Sequence, residues 1–521
     1  MTKKDNTRKW ALVVSVFLML SKVLGFLREV LVARGFGASQ DSDIYYTATN
    51  GIIIVMGLLG SGLQTTLVPI FTEVKRKYGR EGKNKFFSNI MSITLIITML
   101  LMAIVFVLAR PYVKILAMGF EGKVFDAVVY LLRLGLPMII FLSFTYVSNA
   151  YLQSDQVYGP HALMGIPYNF IFIIYLLVQR RPTVVGMMIC TLVAASSQFF
   201  IQIPALKQRN LKFKFAPQLR DEHIKQTFKL VMPIILSSAV YQLNMLIDRS
   251  LASKLAEGSV SSLNYASKVN TMVISVFVVA ITSVVFPKLA KAFEERNQKS
   301  IGELFANSVN LVALVVLPAT VGMMILAKPI VEVLFERGRF DANATLLTSG
   351  ALLFYAPGLL GQSFRMTLEN MYYSMKDTRT PMITGMISVA INLILNFLLI
   401  RFMAHKGLAL ATSISSLFSA IALYIMLRGK FKFPEFNMAS NLMKMLVSSV
   451  IMGVFTKLIY EAMIVFAATR GTRAIILVIT IVFAMIIYLI SCTILKVDEI
   501  RLLINEIKRK IKKWDDQFYT H

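Results

Sequence analysis

The chain has 521 residues, of which 56% are hydrophobic and 16% charged, with a mean hydropathy of +0.66. Ordinary soluble domains run at about 45–50% apolar and about 25% charged, so this balance excludes a soluble domain with one core. The net charge of +27 would suggest nucleic acid in a soluble protein. Here the positive residues stand in short segments between apolar blocks, where they set topology, and nucleic acid is excluded as a partner.

Apolar blocks such as Ile90–Leu108 and Ala474–Leu495 reach the roughly 20 residues needed to cross hydrocarbon. Taken in chain order, fourteen such spans are predicted: 10–34, 43–70, 86–109, 124–153, 160–178, 183–206, 227–252, 260–286, 303–335, 343–373, 380–401, 406–427, 441–465 and 473–496. No cleavable signal peptide is expected, because the first block is too long and carries Lys22, Arg28 and Glu29. An even number of spans puts both termini on one side. Loops on that side include Glu73–Lys85, Lys207–Gln226 and Lys288–Ser300. That side holds about 32 Lys and Arg against about 13 on the other, which predicts cytoplasmic termini.

The sequence repeats at an offset of about 220 residues. Ser61–Tyr78 (SGLQTTLVPIFTEVKRKY) and Ala280–Arg296 (AITSVVFPKLAKAFEER) are each a span carrying a proline and running into a basic amphipathic stretch. Arg28–Glu29 precedes Tyr45 much as Asp248–Arg249 precedes Tyr265, and Tyr151 precedes Pro160 by nine residues, as Tyr372 precedes Pro381. The expected architecture is therefore an all-α polytopic membrane protein: a six-helix lobe over 1–215, a second over 216–430, and two extra helices with a basic cytoplasmic tail over 431–521. Two like-oriented copies imply an axis along the membrane normal and a substrate cavity between the lobes.

Charges inside spans cost at least about 2.5–3.5 kcal/mol each near a helix centre, so they mark function or pairing. The first span carries Lys22, Arg28 and Glu29, and Lys22 and Glu29, seven residues apart, share a face at about 10 Å. Two cations against one acid read as a wall for an anionic ligand, or as a buried ion pair. The seventh span has Asn244, Asp248 and Arg249, the eighth Lys268, and the tenth Arg365 and Glu369 at i, i+4, a self-neutralising spacing. Ser388, Asn392 and Asn396 line one face of the eleventh span and Thr412 lies in the twelfth. These are either polar glue between helices or, joined to Asp248, a site for Na⁺ or a proton; zinc would want N or S ligands. Cys190 and Cys492 sit inside apolar blocks, and His161, His223, His405 and His521 lack ligand spacing, so no cofactor is expected. The chain has no P-loop, GxSxG or HExxH motif, which points to a transporter rather than an enzyme, driven by membrane potential or an ion gradient.

Ser21–Ala38 (SKVLGFLREVLVARGFGA) followed by Asp43, Leu334–Thr345 (LFERGRFDANAT), Lys376–Pro381 (KDTRTP), Gly407–Ser413 (GLALATS) and the stretch Asp248–Lys268 together resemble the MurJ/MviN lipid II flippase family nearly throughout the chain. The resemblance implies the multidrug/oligosaccharidyl-lipid/polysaccharide exporter fold, with alternating access and a cationic cavity for a sugar–pyrophosphate headgroup. It also implies two extra helices that form a groove for the lipid tail. Lys22, Arg28 and Glu29 match the family's first-helix charged positions, Asp43 its following aspartate, and Lys268 a position where many members carry arginine. Asp43, Arg249 and Arg365 complete the expected substrate-binding set. Where many members have an Arg-Arg pair in the second helix, this chain reads Val55-Met56-Gly57, and the eighth-helix acid-plus-arginine is Ser267–Lys268. The expected cargo is undecaprenyl-pyrophosphate-linked peptidoglycan precursor. Another polyprenyl-linked glycan (teichuronic acid, capsule or O-unit type) is the alternative in the same fold. A MATE-like cation antiporter is disfavoured by Lys22, Arg28 and Lys268, and a scaffold is disfavoured by charges at equivalent positions in both halves. The expected form is a monomer in the bacterial cytoplasmic membrane, with cell-wall synthesis proteins as candidate partners.

Overall fold

The computed structural model describes residues 3–430 and 435–501, and all the regular structure in them is helical. Each of the predicted spans falls on helix, with several differences of form; the ninth, for one, is divided at Leu326 into Gln298–Ile325 and Ala327–Phe335. The second and third spans belong to one helix, Gln40–Val107, broken by the non-helical backbone of Gly79. On either side of that break the basic run is helical, and Glu73–Lys77 and Glu81–Lys85 support it as i, i+4 pairs of the favourable order. The fourth span is bent by 40° between Gly122–Gly135 and Met138–Gln153. Ten of the described helices are long and apolar enough to cross a membrane, or eleven if that bent pair is one span.

The chain divides into two compact units. One takes in the chain up to Asn264 together with Arg337–Ala344; the other takes in Tyr265–Glu336 and the chain from Thr345. The helix Glu222–Ala252, which the repeat assigns to the second lobe, thus lies in the first unit.

In the first unit, Gln40–Val107 packs against Met138–Gln153 and Glu222–Ala252, and Lys3–Phe36 packs on Gly165–Val178. Its apolar core has two centres, one around Ile52, Val113, Leu132 and Ile139, the other around Phe71, Phe87, Val147 and Tyr151. Two glycines allow backbones to touch. Gly37 has φ 68° and a Cβ there would lie 2.3 Å from the Arg339 carbonyl oxygen; Gly338 has φ 63° and its Cβ would lie 2.4 Å from that of Arg34. The Arg339 amide donates to the Arg34 carbonyl at 3.0 Å across the same contact. An extended strap follows Ile203–Lys207 and is pinned to the long helix: the Ala216 amide donates to Ser92 Oγ at 3.1 Å and the Gln218 amide to Asn89 Oδ1 at 2.7 Å.

In the second unit, Gln298–Ile325 packs on Glu435–Ile464, which pairs with Arg470–Ile494, and Arg379–Met403 pairs with His405–Arg428. A turn of π-helix, Ile274–Val278, interrupts the long helix that ends at Glu294. Thr469 and Thr472 form a capping box at the start of the last helix. Arg473 bonds Glu332, which ties that helix to Ala327–Phe335. Large apolar side chains such as Phe402, Val465 and Ile494 face outward. Lipid solvates such side chains as well as a core does, so helix association here relies on packing and polar contacts.

Candidate functional site

In the first unit Arg28 and Glu29 of the first helix form one connected arrangement with side chains of two other helices. Arg28 NH2 donates to Glu29 Oε1 at 2.6 Å, and Tyr46 OH donates to Glu29 Oε2 at 2.9 Å. The Arg28 guanidinium lies over the rings of Tyr168 and Phe172, at 5.3 and 5.2 Å from their centroids. Glu29 is 5% exposed, so its charge is acceptable only because two donors hold it. Lys22 is exposed two turns earlier, next to Ser21, whose carbonyl accepts from Asn169 Nδ2 at 3.1 Å and joins the two helices. Asp43 is buried, and its two carboxylate oxygens accept from the Gly258 and Ser261 amides, each at 2.7 Å. That contact holds the start of the helix Ser259–Val273 and satisfies donors that a helix start leaves open. Asp248 and Arg249 are half-buried in Glu222–Ala252. Val55 and Met56 are buried in the apolar core at the place where the resemblance would put an arginine pair.

In the second unit, Lys268 is exposed. Arg365 Nε donates to Glu369 Oε1 at 2.7 Å, the self-neutralised pair expected from the spacing. Asn396 Nδ2 donates to Asn392 Oδ1 at 3.0 Å, Asn392 Nδ2 to Ser415 Oγ at 3.4 Å, and Ser388 Oγ to the Ser415 carbonyl at 2.7 Å. Thr412 Oγ1 donates within its own helix, to the Leu408 carbonyl. Ser388, Asn392 and Asn396 thus form a polar ladder between Arg379–Met403 and His405–Arg428.

Sequence reasoning missed a hub outside the spans. Asp155 accepts from Lys75 at 2.6 Å and pairs with Lys83 at 2.9 Å and Arg209 at 3.3 Å. Lys83 is fully buried; it donates to the Tyr151 carbonyl at 3.0 Å and sits 4.0 Å from that ring's centroid. Burial lowers the Lys83 ammonium from its ordinary range to about 8, against the raising effect of its bond to Asp155. Burial would raise Asp155, but the bonds from Lys75 and Lys83 outweigh it and hold that carboxyl below its ordinary value. The recurring tyrosine-to-proline spacing pointed at this corner without revealing its charges.

A bundle of long apolar helices with charged groups set inside its spans defines a polytopic membrane protein of transporter type. A solved lipid II flippase MurJ in an inward closed conformation superposes with a TM-score of 0.78 at 24% identity, over 93% of this chain and 98% of that one. An inward-facing MATE family transporter of the MOP superfamily follows at 0.65 and 17% identity, over 81% and 98%. The lipid II flippase MurJ family model matches residues 32–470, and the chain belongs to that family. The lipid II flippase MurJ of Burkholderia cenocepacia is 26% identical over 434 residues, covering 81% of this chain and 84% of its own.

Proposed function

We propose that the chain is a flippase that moves lipid II, the undecaprenyl-pyrophosphate-linked peptidoglycan precursor, from the cytoplasmic to the outer leaflet of the bacterial membrane by alternating access. The family match over most of the chain carries this reading. Depletion of the protein in its host should make lipid II accumulate on the cytoplasmic face; accumulation of a different lipid-linked glycan there would replace the cargo. The observation that favours such a second cargo is the apolar burial of Val55 and Met56, which removes two expected cations.

The finer architecture is part of the proposal. Counting Gln40–Val107 as two spans broken at Gly79, and adding Lys3–Phe36 and Glu222–Ala252 to the eleven apolar candidates, gives fourteen spans in two six-helix lobes (1–215 and 216–430) plus two further helices. Both termini are then cytoplasmic. A cysteine at Glu81 should be labelled from the cytoplasm and one at Arg110 from outside; the reverse would overturn the topology.

Arg28 and Lys268, with Lys22 supporting, are the cations we assign to the cargo's pyrophosphate, and Arg249 and Arg365 complete the proposed substrate-binding set. Glu29 and Asp43 position the groups around them. Guanidinium binds phosphate oxygens in bidentate fashion, and each such charged hydrogen bond contributes about 1.5–3 kcal/mol. Arg28→Ala should therefore lower complementation by about one to two decades with the protein level unchanged. If Arg28 serves only to neutralise Glu29, Arg28→Ala/Glu29→Ala restores activity, and that rescue would sink the assignment. Asp248, Asn392, Asn396 and Thr412 are proposed to serve the coupling ion, Na⁺ or H⁺. Transport by Asp248→Asn with its ion dependence intact would end that idea.

A further inference from the structure

The base of the last two helices holds a buried carboxylate that the transport reading does not use. Residues 497–500 fold back under the last helix, with the Val497 amide donating to the Cys492 carbonyl at 2.9 Å. Val497 and Ile500 are buried in an apolar cluster with Ala313, Met445 and Cys492. Between them Glu499 is only 6% exposed, and it accepts a close hydrogen bond from Asn310 Nδ2 of Gln298–Ile325. Asn310 is itself 4% exposed. Among the described residues, two acceptors, Glu499 Oε2 and Asn310 Oδ1, are buried with no donor. Among the described residues no Lys or Arg pairs with Glu499, and a buried carboxylate without a countercharge is costly.

None of the nearby titratable and charged groups among the described residues pairs with Glu499. Asp498 accepts from Asn441 Nδ2 at 3.1 Å, and Lys444 Nζ donates to the Lys496 carbonyl at 3.3 Å. Arg501 is exposed, and Tyr488 and Cys492 are the groups the last helix brings near.

The two orphaned oxygens belong to the same two side chains that already share one hydrogen bond. A single monovalent cation satisfies both. A proton on Oε2 lets it donate to Asn310 Oδ1 while Asn310 Nδ2 donates to Oε1, which closes a cyclic acid–amide pair. An alkali ion bridges the same two oxygens, the hard ligands such ions take. We propose that Glu499 and Asn310 form a monovalent-cation site that latches the segment after the last helix onto Gln298–Ile325. This inference does not rest on the cargo assignment, and it names residues other than those proposed for the coupling ion.

Cys492 is fully buried beside the latch, and the sequence has only one other cysteine, Cys190. In full-length Cys190→Ser protein in detergent, the rate of Cys492 modification by a thiol reagent reports opening of this corner. Glu499→Gln is the comparator, because its amide donates to Asn310 Oδ1 with no cation bound. Dividing each rate by that of Glu499→Gln under the same condition removes the reagent's own dependence on pH and salt. The ratio should fall toward one as NaCl replaces choline chloride at fixed pH if the ion is Na⁺, or only on acidification if it is a proton. A ratio flat in both series overturns the site. Should Glu499→Gln fail to accumulate, Asn310→Ala takes its place and should show no response; a wild-type response there also overturns it. Asp248→Asn should respond as wild type, and loss of the response in that variant would move the site away from Glu499.

Discussion

The corner at Asp155 in the first unit and the corner at Asp377 in the second are built on one frame and charged differently. In both, a buried tyrosine precedes the aspartate by a turn and stands nine residues before a proline: Tyr151 and Pro160, Tyr372 and Pro381. In both, a basic residue about 53 positions on pairs with the aspartate, Arg209 with Asp155 and Lys430 with Asp377. There the likeness stops. Asp155 faces three cations, whereas Asp377 has, among the described residues, the single cationic partner Lys430 at 2.8 Å and spends its other bonds on the Thr380 amide and hydroxyl. Lys430 donates first among the causes that hold the Asp377 carboxyl well below its ordinary range. The prolines Pro69 and Pro287 set a register of 218 residues, which places Ile301 opposite Lys83, and Ile301 is buried in the apolar cluster around Tyr372. The frame needs the tyrosine and the aspartate; it does not need a buried ammonium. The excess charge of the first corner is therefore a local addition rather than a requirement of the helix bundle.

The sharpest way to break this comparison is Asp155→Asn. It leaves Lys83 buried without a countercharge and should cost about 3–5 kcal/mol in a denaturation experiment on detergent-purified protein. A loss below about 1 kcal/mol would mean that the corner is wet and that the two corners differ little. Next comes the transplant Ile301→Lys, which puts an ammonium into the second corner and should cost on the order of 3 kcal/mol. Free tolerance of it would show that Asp377 can turn to serve a second cation. Lys83→Ile makes the first corner resemble the second, and an apolar replacement of a buried ion should change stability by no more than about 1 kcal/mol at neutral pH. Its pH signature is more telling. Between about 8 and the ordinary lysine value of 10.5, the unfolded wild-type chain holds a proton that the folded one has released. Wild-type stability should therefore rise with pH through that window, and the slope should be weaker in Lys83→Ile. The smallest effect belongs to Lys430→Met, which removes an exposed ion pair and should cost about 0.2–1 kcal/mol, less at high salt.

The helices were legible because length and hydropathy record the thickness of a bilayer: a helix stands in each predicted block, and ten or eleven of the described ones are long and apolar enough to cross a membrane. The junction at Gly79 was not, since a charged amphipathic run reads equally as a loop or as a helix leaving the membrane. In-span charges such as Arg28 and Glu29 could be picked out by their cost, and Asp43 by the resemblance. Their partners could not: Tyr168 and Phe172 lie some 140 residues from Arg28, and the amides of Gly258 and Ser261 carry no sequence signal at all. Asp155 escaped notice for the opposite reason. It lies between spans, where an acid among bases looks like ordinary loop composition, and only the fold reveals that Lys83 is sealed away from water.

The touching backbones at Gly37 and Gly338 bear on what a family signature can mean. Both glycines fall inside motifs by which the chain resembles its relatives, ARGFGA and FERGRF, and at both a side chain would collide with a carbonyl oxygen of the other segment. Those letters are dictated by the space between two stretches of main chain. They would read the same whichever glycan the protein carried, so these two glycines are silent about cargo, and information about substrate has to be sought in the side chains around them that the backbone leaves free to vary.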